Sequence, residues 1–439
     1  MKKTRIITSL LLSTLLLSNV TLSGCSSKKK TDSSATSDKV VEIRFAWWGD
    51  QIRHDATNKA LTLFEQKNPN IKVIREPSGF AGFHDKLTTQ IAAGTEPDLF
   101  QFANDKYLGD FVSAGRLVSI DEFVGKEINI DNISSSVLSA GQIKGKQYCI
   151  PTAINSRVVL FNKKMFDNAK VPYPKNDWTW EDFYNISKKL VAGNPGKYAI
   201  SDFTLTDDLI IYSIQKGAIF VDKDLKVNAE KQLKQGLELG MKLRTEKLAP
   251  PIDISIIENT QQNNTFVTGK SAMKIDATAA ADGYAVSLKD KGEVGIVLLP
   301  DSSTSNPSGE ALIGTNPLAI GRSSENKQAA AKLLDFMIND QDAAKILRTV
   351  RGVPTSSKSQ EMLKPTLEPI NAMVFTAIND ITKIAMKPDD YFFAKGAGIN
   401  FVDIVRQESQ KVAYKKTTPA ETAKTIKDQM QKSLDKANK

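Results

Sequence analysis

Aromatic and polar side chains follow the first apolar segment of the body of the chain. Residues 41–46 are mostly apolar and predict a short strand, and the residues that come next are Trp47, Trp48, Asp50, Arg53 and His54. Aromatic rings can cover the apolar face of a ligand, while Asp, Arg and His exchange hydrogen bonds with its polar groups. Adjacent residues on a strand point to opposite faces, so we expect at most one of the two tryptophans to be buried. The alternative, that both belong to the core, stays open.

The elements that position these side chains alternate in type. Strands predicted at 41–46, 71–74 and 99–102 are separated by helices predicted at 55–67 and 82–93, which is typical of a parallel α/β layer. Ligand sites in such layers lie at the carboxyl ends of the strands. The second and third strands would bring further candidates to this edge, namely Phe80, Asn104 and Asp105.

The first 39 residues are predicted to be a secretion signal followed by a membrane tether. A basic start, an apolar stretch at 9–20 and Leu22-Ser23-Gly24 predict a secretory signal peptide over 1–24. Leu-Ser-Gly-Cys resembles the lipobox of bacterial lipoproteins, in which Cys25 is diacylated and the chain is cut just before it. Residues 26–39 have almost nothing apolar to bury, so 25–39 is predicted to be a lipidated cysteine with a disordered tether. An ordinary signal peptide with a stray cysteine is the alternative.

Composition limits the class of protein. The remaining body of roughly 400 residues exceeds one ordinary core and predicts two domains. The net charge of +9 is spread among interleaved acids, which does not indicate a nucleic-acid partner. The chain has two cysteines, so with Cys25 acylated Cys149 has no partner for an internal disulfide.

No catalytic or cofactor motif is complete. Gly269-Lys270 resembles a P-loop, but Asn264 stands where a glycine is required. His54 and His84 are the only histidines and neither has a cysteine near it in sequence, which argues against a zinc site. We therefore expect no enzyme activity, no cofactor and no metal, although paired carboxylates for glycoside hydrolysis stay open.

Five segments carry a resemblance to a known family. They are FHDKLTTQIAAG at 83–94 leading to Pro97-Asp98, LFNKKMF at 160–166 after Ile150-Pro151, WTWEDF at 178–183, FVTGKSAM at 266–273, and Gly352-Val353-Pro354. In this order, and with a lipobox, they resemble the extracellular solute-binding lipoproteins of carbohydrate ABC transporters, the family that includes the maltose-binding protein.

The resemblance implies a fold. It is an α/β, two-lobed periplasmic-binding-protein-like fold, with a central mixed sheet in each lobe and three hinge crossings between them. The crossings fall near 151–156, near 313–316 and between 354 and 371. Lobe one would comprise 40–153 and the return 316–360, and lobe two would comprise 154–315 and 361–439 with the C-terminal helices.

The resemblance also implies a function and a site. A sugar has an apolar face for aromatic rings and a rim of hydroxyls for charged or amide side chains. Besides the residues at the strand ends, the candidate ligand contacts are Asn155, Arg157, Asp276, Gly314, Asn316, Tyr391 and Phe392. The protein would bind sugar as a monomer and deliver it to the transmembrane subunits of an ABC permease. Acylated Cys25 would hold it in the lipid bilayer, on the outer face of the cell membrane of a Gram-positive bacterium.

Two other functions remain open from the sequence. A binding protein for a non-sugar small solute would share the fold and need fewer aromatic platforms. A surface-anchored glycoside hydrolase would turn its ligand over.

Overall fold

The structure is a computed structural model, and it describes the body of the chain with several gaps. The described residues are 40–49, 51–79, 82–206, 208–218, 220–222, 224–258, 264–302, 313–384 and 401–437. For 104–106 and 313–315 the description covers the backbone only. The described body, from residue 40 onward, belongs to one compact unit.

Strands and helices alternate through the described body. The strands are β1 (Val41–Trp48), β2 (Ile71–Ser78), β3 (Leu99–Gln101), β4 (Gln142–Ile143), β5 (Lys146–Gln147), β6 (Cys149–Ile150), β7 (Ala153–Asn155), β8 (Arg157–Asn162), β9 (Tyr198–Ile200), β10 (Ser271–Ala277), β11 (Val294–Val297), β12 (Ile313–Thr315), β13 (Leu318–Ile320) and β14 (Val353–Pro354). The α-helices are α1 (Gln51–Lys67), α2 (Phe83–Ala93), α3 (Asn104–Ser113), α4 (Ser135–Ser139), α5 (Lys163–Asn168), α6 (Trp180–Gly193), α7 (Asp208–Gln215), α8 (Glu230–Thr245), α9 (Ile252–Glu258), α10 (Ala281–Leu288), α11 (Lys327–Asn339), α12 (Gln341–Leu347), α13 (Ser357–Leu363), α14 (Pro369–Ile384), α15 (Phe401–Ala413) and α16 (Pro419–Ala437).

The first sheet has the strand order β2-β1-β3-β13-β6 and is buried on both faces. β2, β1 and β3 are parallel, whereas β13 pairs antiparallel with both β3 and β6, so the sheet is mixed. Along β1, Phe45 and Trp47 point into a core shared with α1 and α11. Ala46 points the other way, into a core shared with α2 and α3. This alternation follows from the two-residue period of a strand.

The second sheet has the strand order β11-β8-β10-β9 and is also mixed. Val158 and Leu160 of β8 join the core that α10 and α14 cover. Val159 and Phe161, on the opposite face, join a separate core that includes side chains of α6, α8, α15 and α16. Each sheet is thus a central layer between helices, as expected of an α/β lobe.

A third, small sheet lies where the chain passes between the first two. Its order is β12-β7-β14, and both pairings are antiparallel. The chain runs through β7 on its way from β6 in the first sheet to β8 in the second, and through β12 on its way from β11 back to β13. After β14 it continues through α13 to α14, which packs on β11. We call this the crossing sheet.

Several local predictions need correction. α1 begins at Gln51 rather than at residue 55, so Asp55 is inside the helix and accepts a hydrogen bond from the Gln51 side chain at 2.8 Å. The sequence of residues 261–267 also predicts a helix, which is wrong for the described part. Residues 265–269 form turns, and the backbone N–H groups of Phe266 and Val267 donate to Asn264 Oδ1. Within the described ranges, no helix is both long and apolar enough to cross a membrane.

Cys149 is expected to be unreactive in the folded protein. Its side chain is fully buried in β6, and burial raises the pKa of its thiol far above the usual range. In a chain carrying Cys25→Ser, a thiol reagent such as Ellman's reagent should detect no thiol under native conditions and one thiol in urea. Rapid reaction of one thiol equivalent in the native protein would contradict the burial of Cys149.

Candidate functional site

The end of the first sheet exposes an aromatic ring. Trp48 is the last residue of β1 and is partly exposed, and its ring meets Phe83 edge-on at 5.3 Å and His84 at 5.0 Å between centroids. His84 stacks on Tyr107 at 4.7 Å with an interplanar angle of 3°. The carboxyl end of β1 therefore lies at a small aromatic surface, in which Trp48 and Tyr107 are partly exposed while Phe83 and His84 are buried.

Trp47 does not belong to this surface. It is fully buried and stacks on Phe45 at 4.9 Å, on the opposite face of β1. The expectation that at most one of the two tryptophans is buried is confirmed. The fully buried ring of Trp47 fills the core, which argues against its predicted contact with ligand.

Arg53 and His54, in the first turn of α1, make contacts inside the protein. Arg53 donates from Nε to the Val350 carbonyl at 3.0 Å and from Nη1 to the Trp48 carbonyl at 3.4 Å. It thus joins the end of β1 to the segment before β14. His54 lies edge-on to the buried Trp47 at 6.1 Å. Both side chains are only partly exposed, and their predicted contact with ligand stays a prediction.

The second sheet contributes a cluster of charged and hydroxyl groups. Arg157, the first residue of β8, approaches Asp208 Oδ1 with Nε at 3.2 Å and Asp276 Oδ1 with Nη1 at 3.4 Å. The Tyr284 hydroxyl donates to Asp276 Oδ2 at 2.5 Å. Burial, followed by the charge of Asp276, raises the pKa of the Tyr284 hydroxyl well above its usual range, so it remains a donor.

Sequence reasoning identified Arg157 and Asp276 but missed Asp208 and Tyr284. Asp208 begins α7 and Tyr284 lies on α10, so both reach the cluster from helices that are distant in sequence. Arg157 and Asp276 are themselves 119 residues apart and meet because β8 and β10 are antiparallel neighbours. No local sequence pattern indicates that residues so distant in sequence are in contact.

A buried set of hydrogen bonds, the crossing network, ties the three crossings to the first sheet. Arg351 donates to Gln101 Oε1 at 2.6 Å and to Thr57 Oγ1 at 3.0 Å. Gln101 donates to Asn316 Oδ1 at 2.8 Å, and Asn316 donates to the Arg351 carbonyl at 2.8 Å. The Thr152 hydroxyl donates to the Asn316 carbonyl at 2.9 Å. One residue near each crossing strand therefore joins the same network.

Asn316 takes part in the crossing network, and its predicted contact with ligand stays a prediction. Its amide oxygen and nitrogen are both engaged in the crossing network, and its side chain is buried. Its backbone has φ of 52°, the left-handed region that asparagine tolerates better than most residues. The structure gives it a structural role at the turn between β12 and β13.

The remaining candidates divide into two groups. Asn155 ends β7 and accepts a hydrogen bond from the Thr278 hydroxyl at 3.4 Å, and Gly314 pairs with Ile154 in the crossing sheet. Asn104 and Asp105 start α3, where only the backbone is described. The others lie outside the described residues, and they are Cys25, Asp50, Phe80, Tyr391 and Phe392.

The described side chains offer hydrogen bonding rather than metal binding. Among them, no group of three or more His, Cys, Asp or Glu is placed to hold a metal ion. Arg157 and the carboxylates around it present charged donors and acceptors, and Trp48 presents an aromatic face. This combination suits a polar ligand with one apolar face.

Tyr284→Phe is expected to weaken ligand binding modestly. The substitution removes the hydroxyl that holds Asp276 but keeps the ring, so we expect a loss of about 1 kcal/mol of binding free energy, or roughly fivefold in Kd. The measurement is isothermal titration calorimetry beside a thermal melt. Unchanged affinity would mean that Asp276 does not need this bond to engage the ligand.

The fold and its comparisons define the class of protein. A mixed sheet at the centre of each of two α/β lobes, with three crossings between them, is the architecture of periplasmic solute-binding proteins, and the predicted fold class is confirmed. Residues 50–344 match the family described as bacterial extracellular solute-binding protein, which is more than half of the chain. The chain belongs to this family.

Individual relatives are distant but cover most of the chain. It is 26% identical over 311 residues to the diacetylchitobiose binding protein DasA of Streptomyces coelicolor, covering 69% of this chain and 70% of that protein. It is 23% identical over 346 residues to the galactooligosaccharide-binding protein of Bacillus subtilis, covering 76% and 77%. The solved family 1 extracellular solute-binding protein of Alicyclobacillus acidocaldarius aligns with a TM-score of 0.73 and 25% identity, covering 90% of this chain and 99% of that one.

Proposed function

We propose that this protein captures a sugar or oligosaccharide between its two lobes and delivers it to an ABC permease. Membership of the solute-binding family supports capture of a solute, and relatives named for diacetylchitobiose and galactooligosaccharide support a carbohydrate. The observation that carries the proposal is the partly exposed ring of Trp48 at the carboxyl end of the parallel strands. Such a ring can cover the apolar face of a sugar.

The proposed site has one part on each lobe. Lobe one, over 40–153 and 316–360, would supply the ring of Trp48. Lobe two, over 154–315 and 361–439, would supply Arg157 and Asp276 for the sugar hydroxyls, with Asp208 and Tyr284 holding them in place. The other proposed contacts are Asp50, Arg53, His54, Phe80, Asn104, Asp105, Asn155, Gly314, Tyr391 and Phe392.

Ligand binding would couple to closure of the lobes. A sugar that touches both parts of the site binds the closed form better than the open one, and only this difference in affinity can shift the population toward closure. The crossing network joins the crossing strands to the first sheet. We therefore expect these strands to stay fixed to lobe one while lobe two moves relative to them. The closed form would then present both lobes to the permease.

The proposed location is the outer face of the cell membrane of a Gram-positive bacterium, with a diacylated Cys25 as anchor. Two acyl chains hold a protein firmly, because each buried methylene adds about 0.8 kcal/mol. We expect Cys25→Ser to move the protein from the membrane fraction to the medium, measured by fractionation and by metabolic labelling with palmitate. Labelled, membrane-bound Cys25→Ser protein would contradict the anchor.

We propose a binding role without catalysis, and one experiment separates this from the alternatives. Calorimetric titration with a panel of mono- and oligosaccharides should give heat with at least one, together with a shift in tryptophan fluorescence as Trp48 loses water. Product analysis after long incubation should find the sugar intact. No heat and no shift across the panel would favour a non-sugar solute, and cleavage products would show a glycoside hydrolase.

A further inference from the structure

The imidazole of His84 lies beside the proposed sugar platform. Its side chain is 8% exposed, and its ring lies between Trp48 at 5.0 Å and Tyr107 at 4.7 Å, with Phe83 edge-on at 5.3 Å. These three rings come from β1, α3 and α2, so His84 is packed at the point where the three elements meet.

His84 also holds the start of α3. Its Nε2 accepts a hydrogen bond from the backbone N–H of Ala103 at 3.0 Å, and Ala103 is the N-cap residue of α3. An imidazole nitrogen that accepts a hydrogen bond carries no proton, so the ring is neutral in this arrangement. Protonation would place an N–H against the Ala103 N–H and remove the acceptor from a buried donor.

We propose that His84 is a positioning residue for ligand binding: its neutral imidazole holds Trp48 and the start of α3 in the binding arrangement, and its protonation loosens both. This role rests on the proposed function, since it acts through the Trp48 platform. The ligand class is carbohydrate, which stacks on the ring that His84 supports. The affinity for the sugar should therefore fall on acidification, even when the sugar is uncharged and does not itself titrate.

Among the described side chains, two aromatic rings from neighbouring elements face the imidazole. Trp48 faces it from β1 and Tyr107 from α3. On its own helix, Asp85 and Lys86 are exposed neighbours. Asp105 and Lys106 share the first turn of α3, with side chains outside the described set, so Asp105→Asn is a necessary control.

The chain offers a matched control in its other histidine. His54 lies edge-on to Trp47, the buried tryptophan, while His84 contacts Trp48. These are the only two histidines, and histidine is the side chain whose ordinary pKa falls between pH 5 and 8. His84→Gln keeps an acceptor oxygen near the position of Nε2 without titrating, and His84→Phe keeps a ring without an acceptor.

The first measurement is the affinity of the whole protein for the best carbohydrate of the panel, by calorimetry from about pH 8 to about pH 5. In the wild type we expect about a tenfold loss of affinity on acidification. His54→Gln and Asp105→Asn replace proposed ligand contacts, so each is compared with its own affinity at high pH, and this ratio should show the same roughly tenfold loss. His84→Gln should bind nearly as the wild type does at high pH and keep that affinity at low pH. His84→Phe should bind about tenfold more weakly at every pH. Thermal melts at each pH show that every variant is folded.

The second measurement needs no ligand. Acrylamide quenching of Trp48 is obtained as the difference between a protein with Trp48 and the same protein carrying Trp48→Phe. This quenching should rise on acidification in the wild type and stay constant in the His84→Gln background. A pH response that survives in His84→Gln, or that disappears in His54→Gln or Asp105→Asn, overturns the role of His84, as does a flat quenching profile in the wild type. A carbohydrate panel without binding contradicts the proposed function instead, so the two failures are distinct.

Discussion

Trp48→Ala is expected to weaken carbohydrate binding by about 2–4 kcal/mol, or roughly 30- to 700-fold in Kd, while the protein stays folded. The ring of Trp48 is partly exposed at the end of β1 and would cover the apolar face of the sugar. Its removal takes away the largest apolar contact proposed for the site. Loss of the packing of Trp48 against Phe83 and His84 should lower the free energy of unfolding by only about 1 kcal/mol. Calorimetry measures the affinity, and urea denaturation measures the free energy of unfolding.

Trp47→Ala is the matched control, and its effects should be reversed. Trp47 fills the core between β1 and α1, so its truncation should cost about 3–5 kcal/mol of unfolding free energy through the cavity that it leaves. The affinity of the folded fraction should change little. If Trp47→Ala weakened binding as much as Trp48→Ala at full folding, the assignment of the two rings to opposite faces of β1 would be wrong.

Arg351→Ala should be among the most destabilising single substitutions in the protein, at about 3–5 kcal/mol. The guanidinium is buried and donates to Gln101 and Thr57, and its own carbonyl accepts from Asn316. Burial, and after it the charge of Arg53, lowers the pKa of Arg351, which reflects the cost of keeping this charge inside. Truncation leaves a cavity and buried polar groups without partners.

The measurement for Arg351 is the free energy of unfolding in urea, and Arg406 provides the control. Arg406 is exposed on α15 and forms an ion pair with Asp403, at 3.6 Å one helical turn away. Arg406→Ala should therefore change stability by less than about 0.5 kcal/mol. Arg351→Lys should recover only part of the loss, because an ammonium cannot reproduce the two-armed contact with Gln101 and Thr57. A loss below about 1 kcal/mol in Arg351→Ala would show that the crossing network does not stabilise the fold.

Local physical chemistry made much of the fold predictable from the sequence. The two-residue period of a strand required Trp47 and Trp48 to face opposite ways, and the structure has one buried and one partly exposed. Alternation of apolar strands with amphipathic helices predicted the parallel layer of β1, β2 and β3. A threonine before two acidic residues is a local signal for a helix start, and the Thr179 side chain does accept from the Asp182 N–H in a capping box at the start of α6.

The candidate site was predictable only in part. The strand-end rule led to Trp48, and the resemblance led to Arg157 and Asp276, which lie together. Whether these groups touch a ligand stays a prediction. Their position near the second crossing makes both Gly314 and Asn316 candidates, but that position alone does not distinguish a ligand contact from a residue with a purely structural role.

Sequence by itself determined the class of fold, the family resemblance and the period of each element, because these depend on neighbours within a few turns of chain. Tertiary structure alone decided which tryptophan is buried, that Asn316 is engaged by Gln101 from 215 residues away, and that His84 stands between Trp48 and Tyr107. The physical reason is that a side chain acquires its role from its partners. In this protein the partners that matter are brought together by sheet order and by the crossings, which no local pattern encodes.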